Sequence, residues 1–164
     1  MVNSAENRYK EFTLTDIQSA YYAGRQSEYE YGGTGCYTYL EIKTERIDTE
    51  RFAEAWYRTI MRHDMLRAMI TKEGKQLVRE TVDAPELEVY EVNEDGKLIE
   101  ENNLVQEMRN KCNAFDFKLE AYPMHKFVIA QGREHSIVHI MVDMLVADYI
   151  SINIILSDVF GYYA

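Results

Sequence analysis

Residues 135–164 read HSIVHIMVDMLVADYISINIILSDVFGYYA. Residues 135–142 run apolar or alternate, the pattern of a buried strand. Asp143 and Asp148 bracket a short break. Asp148 stands where a helix N-cap belongs, with the Ser151 N–H placed to reach its carboxylate. Ile152, Ile155, Leu156 and Val159 then follow at helical spacing. A buried strand, a turn and an apolar-faced helix predict a mixed α/β arrangement. Two carboxylates set among apolar residues make the turn the most unusual chemistry in the chain.

Upstream, a hairpin around Gln131-Gly132 joins this strand to another over residues 125–130. Residues 99–113 predict a helix with Val105, Met108 and Cys112 inward. Residues 93–97, with Gly96, read as a polar loop, and residues 87–92, introduced by Pro85, as a strand. A second hairpin is predicted around Glu73-Gly74, between residues 68–70 and 76–79. Asp48 caps a helix with Phe52, Trp56, Ile60 and His63 on or near one face, closed by Leu66. Residues 36–43 alternate as a strand, Tyr37, Tyr39 and Glu41 against Thr38, Leu40 and Ile42. Tyr31-Gly-Gly-Thr-Gly35 reads as glycines in a tight turn; it lacks the Lys-Ser/Thr ending of a phosphate loop and the dinucleotide spacing. Thr15-x-x-Gln18 is a capping box that opens a helix ending near Arg25, with Ile17, Ala20, Tyr21 and Gly24 on one face. Residues 1–11 are polar and predict a loose segment. Several hairpins mixed with helices predict an α/β sandwich (α+β), a mixed β-sheet covered by helices on one main face.

A chain of 164 residues is one domain's worth and can bury a sizeable core. Its 46% apolar and 12% aromatic content fits a folded domain, and its 13 tyrosines predict partly buried walls. A net charge of −10 disfavours nucleic acid and anionic membrane, since no basic stripe can replace phosphate counterions. Cys36 and Cys112 form neither a disulfide framework nor a zinc pattern, so a cytoplasmic setting is expected. The stretch MVNSAENRYKEF has no apolar signal-peptide core, and no apolar run reaches membrane-span length.

Three readings of the junction compete. His135, His139 and Asp143 share a strand face, but positions i and i+4 lie about 13 Å apart on a strand. They cannot share one ion without another loop, and no metal is expected. In a structural reading Asp148 caps the helix and Asp143 ends the strand, held by an arginine. In the third, the turn is a reaction centre at the carboxyl end of a sheet, where Asp143 has a raised pKa or a tightly held ion-pair partner. Residue pattern alone leaves the choice open.

The motif Asp143-x-x-x-x-Asp148-x-x-Ser151 resembles the signature of heterocyclization domains of nonribosomal peptide synthetases. These are variants of the condensation domain, whose own signature is His-His-x-x-x-Asp-Gly. Phe12-Thr-Leu-Thr-Asp-Ile-Gln-Ser-Ala-Tyr-Tyr-Ala-Gly-Arg25 resembles the family's opening motif. Gly32-Gly-Thr-Gly-Cys-Tyr-Thr-Tyr-Leu-Glu41 resembles the segment after it, and Arg62-His-Asp-Met-Leu-Arg67 the second core motif. Four motifs in order over nearly the whole chain are far more specific than any one.

The resemblance implies a chloramphenicol-acetyltransferase-like lobe. A complete domain has two such lobes around a tunnel, with the motif at their junction. Residues 12–164 correspond to the N-terminal lobe, expected as a cut piece of a longer protein. The implied partners are the C-terminal lobe, peptidyl carrier domains and the adenylation domain of the same synthetase. Substrates arrive on the 4'-phosphopantetheine arms of the carriers, and the lobe binds no cofactor of its own. The implied chemistry joins a carrier-bound Cys, Ser or Thr to an upstream thioester, then cyclodehydrates the amide to a thiazoline or oxazoline. Aligned on the condensation signature, Asp143 replaces the first histidine, Met144 the second, and Asp148 keeps the aspartate. Methionine moves no proton, so Asp143, Asp148 and Ser151 are motif residues expected to orient and polarise, with direct proton transfer by Asp143 a weaker alternative. Arg62 and Arg67 are candidate partners for the acids, and Arg62, His63 and Arg67 a structural motif, His63 being a packed residue rather than a catalyst. The lobe alone is expected to be inactive, and to self-associate through the face that meets the other lobe. A non-catalytic module that binds a carrier or neighbouring domain is the competing function. A coenzyme A acetyltransferase is disfavoured by the missing His-His-x-x-x-Asp.

Overall fold

The computed structural model describes residues 7–26, 33–93 and 98–164. A short strand β1 (Phe12–Thr13) leads into helix α1 (Asp16–Gly24). The capping box forms: the Thr15 hydroxyl accepts the Gln18 N–H, and the Gln18 side chain accepts the Thr15 N–H. Strand β2 (Tyr37–Glu45) and helix α2 (Thr49–Arg62) follow, the helix capped by Asp48, whose carboxylate accepts the Arg51 N–H. A 3-10 turn (Asp64–Arg67) feeds the hairpin β3 (Ala68–Ile70) and β4 (Lys75–Val78), turned by Gly74 at φ 70°. Strand β5 (Glu88–Glu91) precedes helix α3 (Asn103–Asn113). Strands β6 (His125–Gln131) and β7 (His135–Asp143) form the long hairpin, and helix α4 (Tyr149–Tyr163) closes the order.

Among the described residues there are two sheets. The larger has strand order β2-β7-β6-β5, with β5 parallel to β6 and the other pairs antiparallel. The smaller, β1-β4-β3, is antiparallel. The period of two along β7 divides the core. Val138, Ile140 and Val142 join Phe52, Trp56 and Ile60 of α2 and Ile152, Ile155 and Val159 of α4. Ile137 and Met141 point the other way and pack with Val105, Met108 and Cys112 of α3. Buried on both faces, β7 is mostly apolar for a physical reason, with Ser136 and His139 as buried polar exceptions ahead of Asp143.

This layout corrects three expectations. Helices cover both faces of the large sheet, because α3 supplies a second apolar stripe. The helix expected over residues 99–113 is broken: Ile99–Glu101 form a 3-10 turn, and the Asn102 side chain caps α3 by accepting the Leu104 N–H at 2.9 Å. Ile17 is 71% exposed, so the shared face of α1 is not an inward face at that position. Residues 94–97 of the expected loop, and Tyr31 and Gly32 of the expected turn, lie outside the described residues; Gly33 takes a positive φ of 91°, as a glycine turn requires. Arg8, in the segment expected to be loose, donates two 2.6 Å bonds to Asp64. Among the described residues no helix is long and apolar enough to cross a membrane, and both cysteines are free.

Candidate functional site

The carboxyl end of β7 is where the motif folds. Asp143 is the last residue of the strand, paired with Tyr37 across β2, and has no exposed surface. Its N–H donates to the Met124 carbonyl at 3.0 Å. One carboxylate oxygen accepts the Leu145 N–H at 2.9 Å. The other pairs with Nη2 of Arg25, the residue that ends α1; that side chain is only 7% exposed. Nη1 of Arg25 donates to the Phe117 carbonyl at 3.0 Å, fixing the guanidinium from a second side. The Asp143 carbonyl accepts the Val146 and Ala147 N–H groups, so the turn coils around this one residue. Burial pushes the Asp143 carboxyl above the ordinary aspartate range; the Leu145 N–H and Arg25 pull against it, and Asp116 adds to the rise.

Gly35 explains how Arg25 gets there. A Cβ on Gly35 would stand 2.6 Å from Nη2 and 2.7 Å from Cζ of Arg25. With any side chain at Gly35 the guanidinium would have to shift from this seat. Three stretches distant in sequence, ending at Arg25, containing Gly35 and ending at Asp143, therefore converge on one buried ion pair.

Asp148 is in a different environment. It is exposed and caps α4, accepting the Ser151 N–H at 2.7 Å. Bonds from the Ser151 hydroxyl and N–H hold it below the ordinary aspartate range. Between the two acids, the Met144 N–H donates to the Cys36 carbonyl and its sulfur accepts the Thr38 hydroxyl at 3.2 Å. Beside the turn opens a groove of about 250 Å³, with His63 and Leu66 on one side and Val146, Ser151 and Ile154 on the other. The stretch containing His63 thus meets the motif turn.

The arginines at either end of that stretch do not reach the acids. Arg62 pairs with Asp158 at 3.1 Å and donates to the Tyr162 hydroxyl. Arg67 is 2% exposed and spends its guanidinium on Asp64 and the carbonyls of Arg79, Ile60 and Met61. The partner of Asp143 is Arg25, brought in by the packing of α1 against the sheet end. His63 Nε2 lies 2.6 Å from Asp158, away from both motif acids. His135 and Asp143 sit at opposite ends of β7, and His139 Nδ1 bonds the Tyr39 hydroxyl at 2.8 Å. Among the described residues no group of three acids, histidines or cysteines is placed to hold a metal ion.

The profile of the Condensation domain family matches residues 9–164. The chain belongs to the condensation-domain family. The pyochelin synthetase PchF of Pseudomonas aeruginosa is 29% identical over 151 residues, covering 92% of this chain and 8% of that protein. The phenyloxazoline synthase MbtB of Mycobacterium tuberculosis is 24% identical over 153 residues, 93% of this chain and 11% of that protein. Among solved structures, the EpoB NRPS cyclization-docking bidomain from Sorangium cellulosum superposes with a TM-score of 0.83 at 24% identity, covering 99% of this chain and 33% of that one. This condensation-domain chain therefore spans about a tenth of the length of these curated relatives, and its fold is that of the chloramphenicol-acetyltransferase-like lobe. The residue that sequence reasoning missed is Arg25. Its signal was present in its place as the last residue of the opening motif.

Proposed function

We propose that the chain is the N-terminal lobe of a heterocyclization domain of a nonribosomal peptide synthetase. The observation that carries this reading is the turn itself. In a condensation-family fold, the place of the paired histidines is taken by a buried, ion-paired Asp143 and by Met144, with Asp148 capping the following helix. No imidazole is present in the turn to assist ordinary condensation. The relatives' names, a phenyloxazoline synthase and a cyclization-docking bidomain, support the same reading.

In this reading the donor acyl group and the acceptor Cys, Ser or Thr arrive on phosphopantetheine arms of carrier domains. The acceptor amine attacks the donor thioester, forming an amide and releasing the thiol. The side-chain thiol or hydroxyl then adds to the amide carbonyl, which closes the ring, and loss of the adduct's hydroxyl with the N–H proton as water forms the C=N bond. Both oxygens of Asp143 are engaged, so its role is to hold the turn and set the local field rather than to carry a proton. Asp148, held ionised at the exposed end of the turn, orients the first turn of α4 and presents negative charge to the junction. The groups for cyclodehydration come from the second lobe, and the isolated lobe is inactive. Exposed Ile17, Tyr149, Ile150 and Ile154, on the two helices that flank the turn, form the face that meets that lobe. The setting is cytoplasmic, with the adenylation domain on the same synthetase.

The test is the mass of the product made by the synthetase that carries this lobe, with donor and acceptor loaded on carriers. A product lighter than the amide by one water supports heterocyclization. Amide alone reduces the assignment to condensation, and no product of either kind favours a carrier-binding module.

A further inference from the structure

We propose that Gln18 and Gln76 are a positioning pair that fixes the motif turn through the Leu145 carbonyl. The inference rests on the functional reading above for its kinetic consequence, and on the hydrogen bonds alone for its structural one.

Gln76 lies in β4 with 2% of its surface exposed, and Gln18 lies in the first turn of α1. Their amides bond reciprocally. Gln18 Nε2 donates to Gln76 Oε1 at 2.8 Å, and Gln76 Nε2 donates to Gln18 Oε1 at 3.0 Å. The remaining N–H of Gln76 goes to the Thr13 carbonyl at 3.0 Å. That of Gln18 goes to the Leu145 carbonyl at 2.7 Å, inside the turn between the two motif acids. Every amide N–H of the pair has an acceptor, and Gln18 Oε1 also takes the Thr15 N–H. Turning the Gln18 amide over would set its oxygen against the Leu145 carbonyl, so the network admits one orientation.

Helix α1 therefore grips the turn at two points, Arg25 on the Asp143 carboxylate and Gln18 on the Leu145 carbonyl. The N–H groups of residues 144–147 are already taken by Cys36 and by Asp143. With both grips made, the turn cannot rotate about the strand end, and Asp148 and the first turn of α4 keep their place at the junction. The amide grip carries no net charge, so it persists whatever the protonation of Asp143. A half-buried amide pair with every donor used is a specific connector, whereas an apolar pair would fill the same space without directing it.

The test uses Gln18→Leu, Gln18→Glu and Gln76→Leu, with Asp48→Ala as a control that weakens the cap of α2 and leaves the pair untouched. On this chain, hydrogen exchange at residues 145–147 should quicken roughly tenfold in the glutamine variants, with exchange at residues 137–142 unchanged. In the synthetase, kcat for ring formation should fall by about tenfold or more while KM for the loaded carriers holds, and Asp48→Ala should keep kcat. Folded Gln18 variants with wild-type exchange and wild-type kcat overturn the proposal. A wild-type synthetase that forms amide but no ring overturns the functional reading instead, and the exchange measurement still decides the positioning claim.

Discussion

Asp143 and Asp148 belong to one motif and stand in opposite surroundings. Asp143 has no exposed surface, an arginine on one oxygen and a backbone N–H on the other. Asp148 is exposed and holds the first turn of a helix. The same side chain is a buried charge that organises three segments in the first place and a local cap in the second. Burial separates them: in a low-dielectric interior an unpartnered charge is expensive, whereas at an exposed cap the loss is one hydrogen bond.

The widest gap between them should show when the buried pair is broken. Arg25→Leu leaves Asp143 charged and unpartnered and the Phe117 carbonyl without its donor. It should cost about 3–5 kcal/mol in denaturant unfolding. Arg25→Leu combined with Asp143→Leu should recover part of that loss, and a double variant no better than the single one would show that the pair is not the organising contact.

The same burial rule applies to a base. His125 is 1% exposed and donates from Nε2 to the Leu66 carbonyl at 2.9 Å, and burial lowers its pKa from 6.5 to about 4. A lowered histidine contributes stability that is complete above its unfolded pKa and fades as pH falls towards the folded one. About 2 kcal/mol should be gone near pH 5. Glu41 and Asp64, held low by Arg109 and Arg8, add their losses only below about pH 4.5. A His125→Phe variant should have a flatter stability profile between pH 6.5 and 5, and an unchanged slope would contradict the assignment.

Gly35→Ala attacks the pair indirectly, by placing a methyl in contact with the Arg25 guanidinium. A loss of roughly 1–3 kcal/mol is expected from such crowding. A neutral result would mean that Arg25 has another seat. Smallest of the four, Asp148→Ala should cost about 1 kcal/mol and Asp148→Asn less, read as thermal midpoints of this chain.

Local signals made much of this fold legible. The capping box at Thr15, the Asp48 cap and the turn at Gly74 are written in short windows, and the structure places them where the pattern does. The break at Asn102 was hidden because Ile99 and Val105 both face inward, which mimics one continuous helix. The hairpin of the small sheet was legible, but its third strand was hidden because β1 is too short to alternate. At the site, the strand, the turn and the helix cap could be read from residues 135–164. The partner of Asp143 could not, because Arg25 and Asp143 are 118 positions apart and meet only through packing. The candidates named from sequence were Arg62 and Arg67, whose guanidiniums are consumed by Asp158 and Asp64.

The most direct measurement is a side-chain carboxyl titration of this chain by NMR, resolving Asp143 and Asp148. Asp148 should titrate below the ordinary aspartate range, and its titration should shift upward when Ser151 is replaced by alanine. Asp143 should titrate well above Asp148, be insensitive to salt, and change when Arg25 is replaced. Two acids titrating together as ordinary solvent-exposed aspartates would contradict the division of roles on which the account of this turn depends.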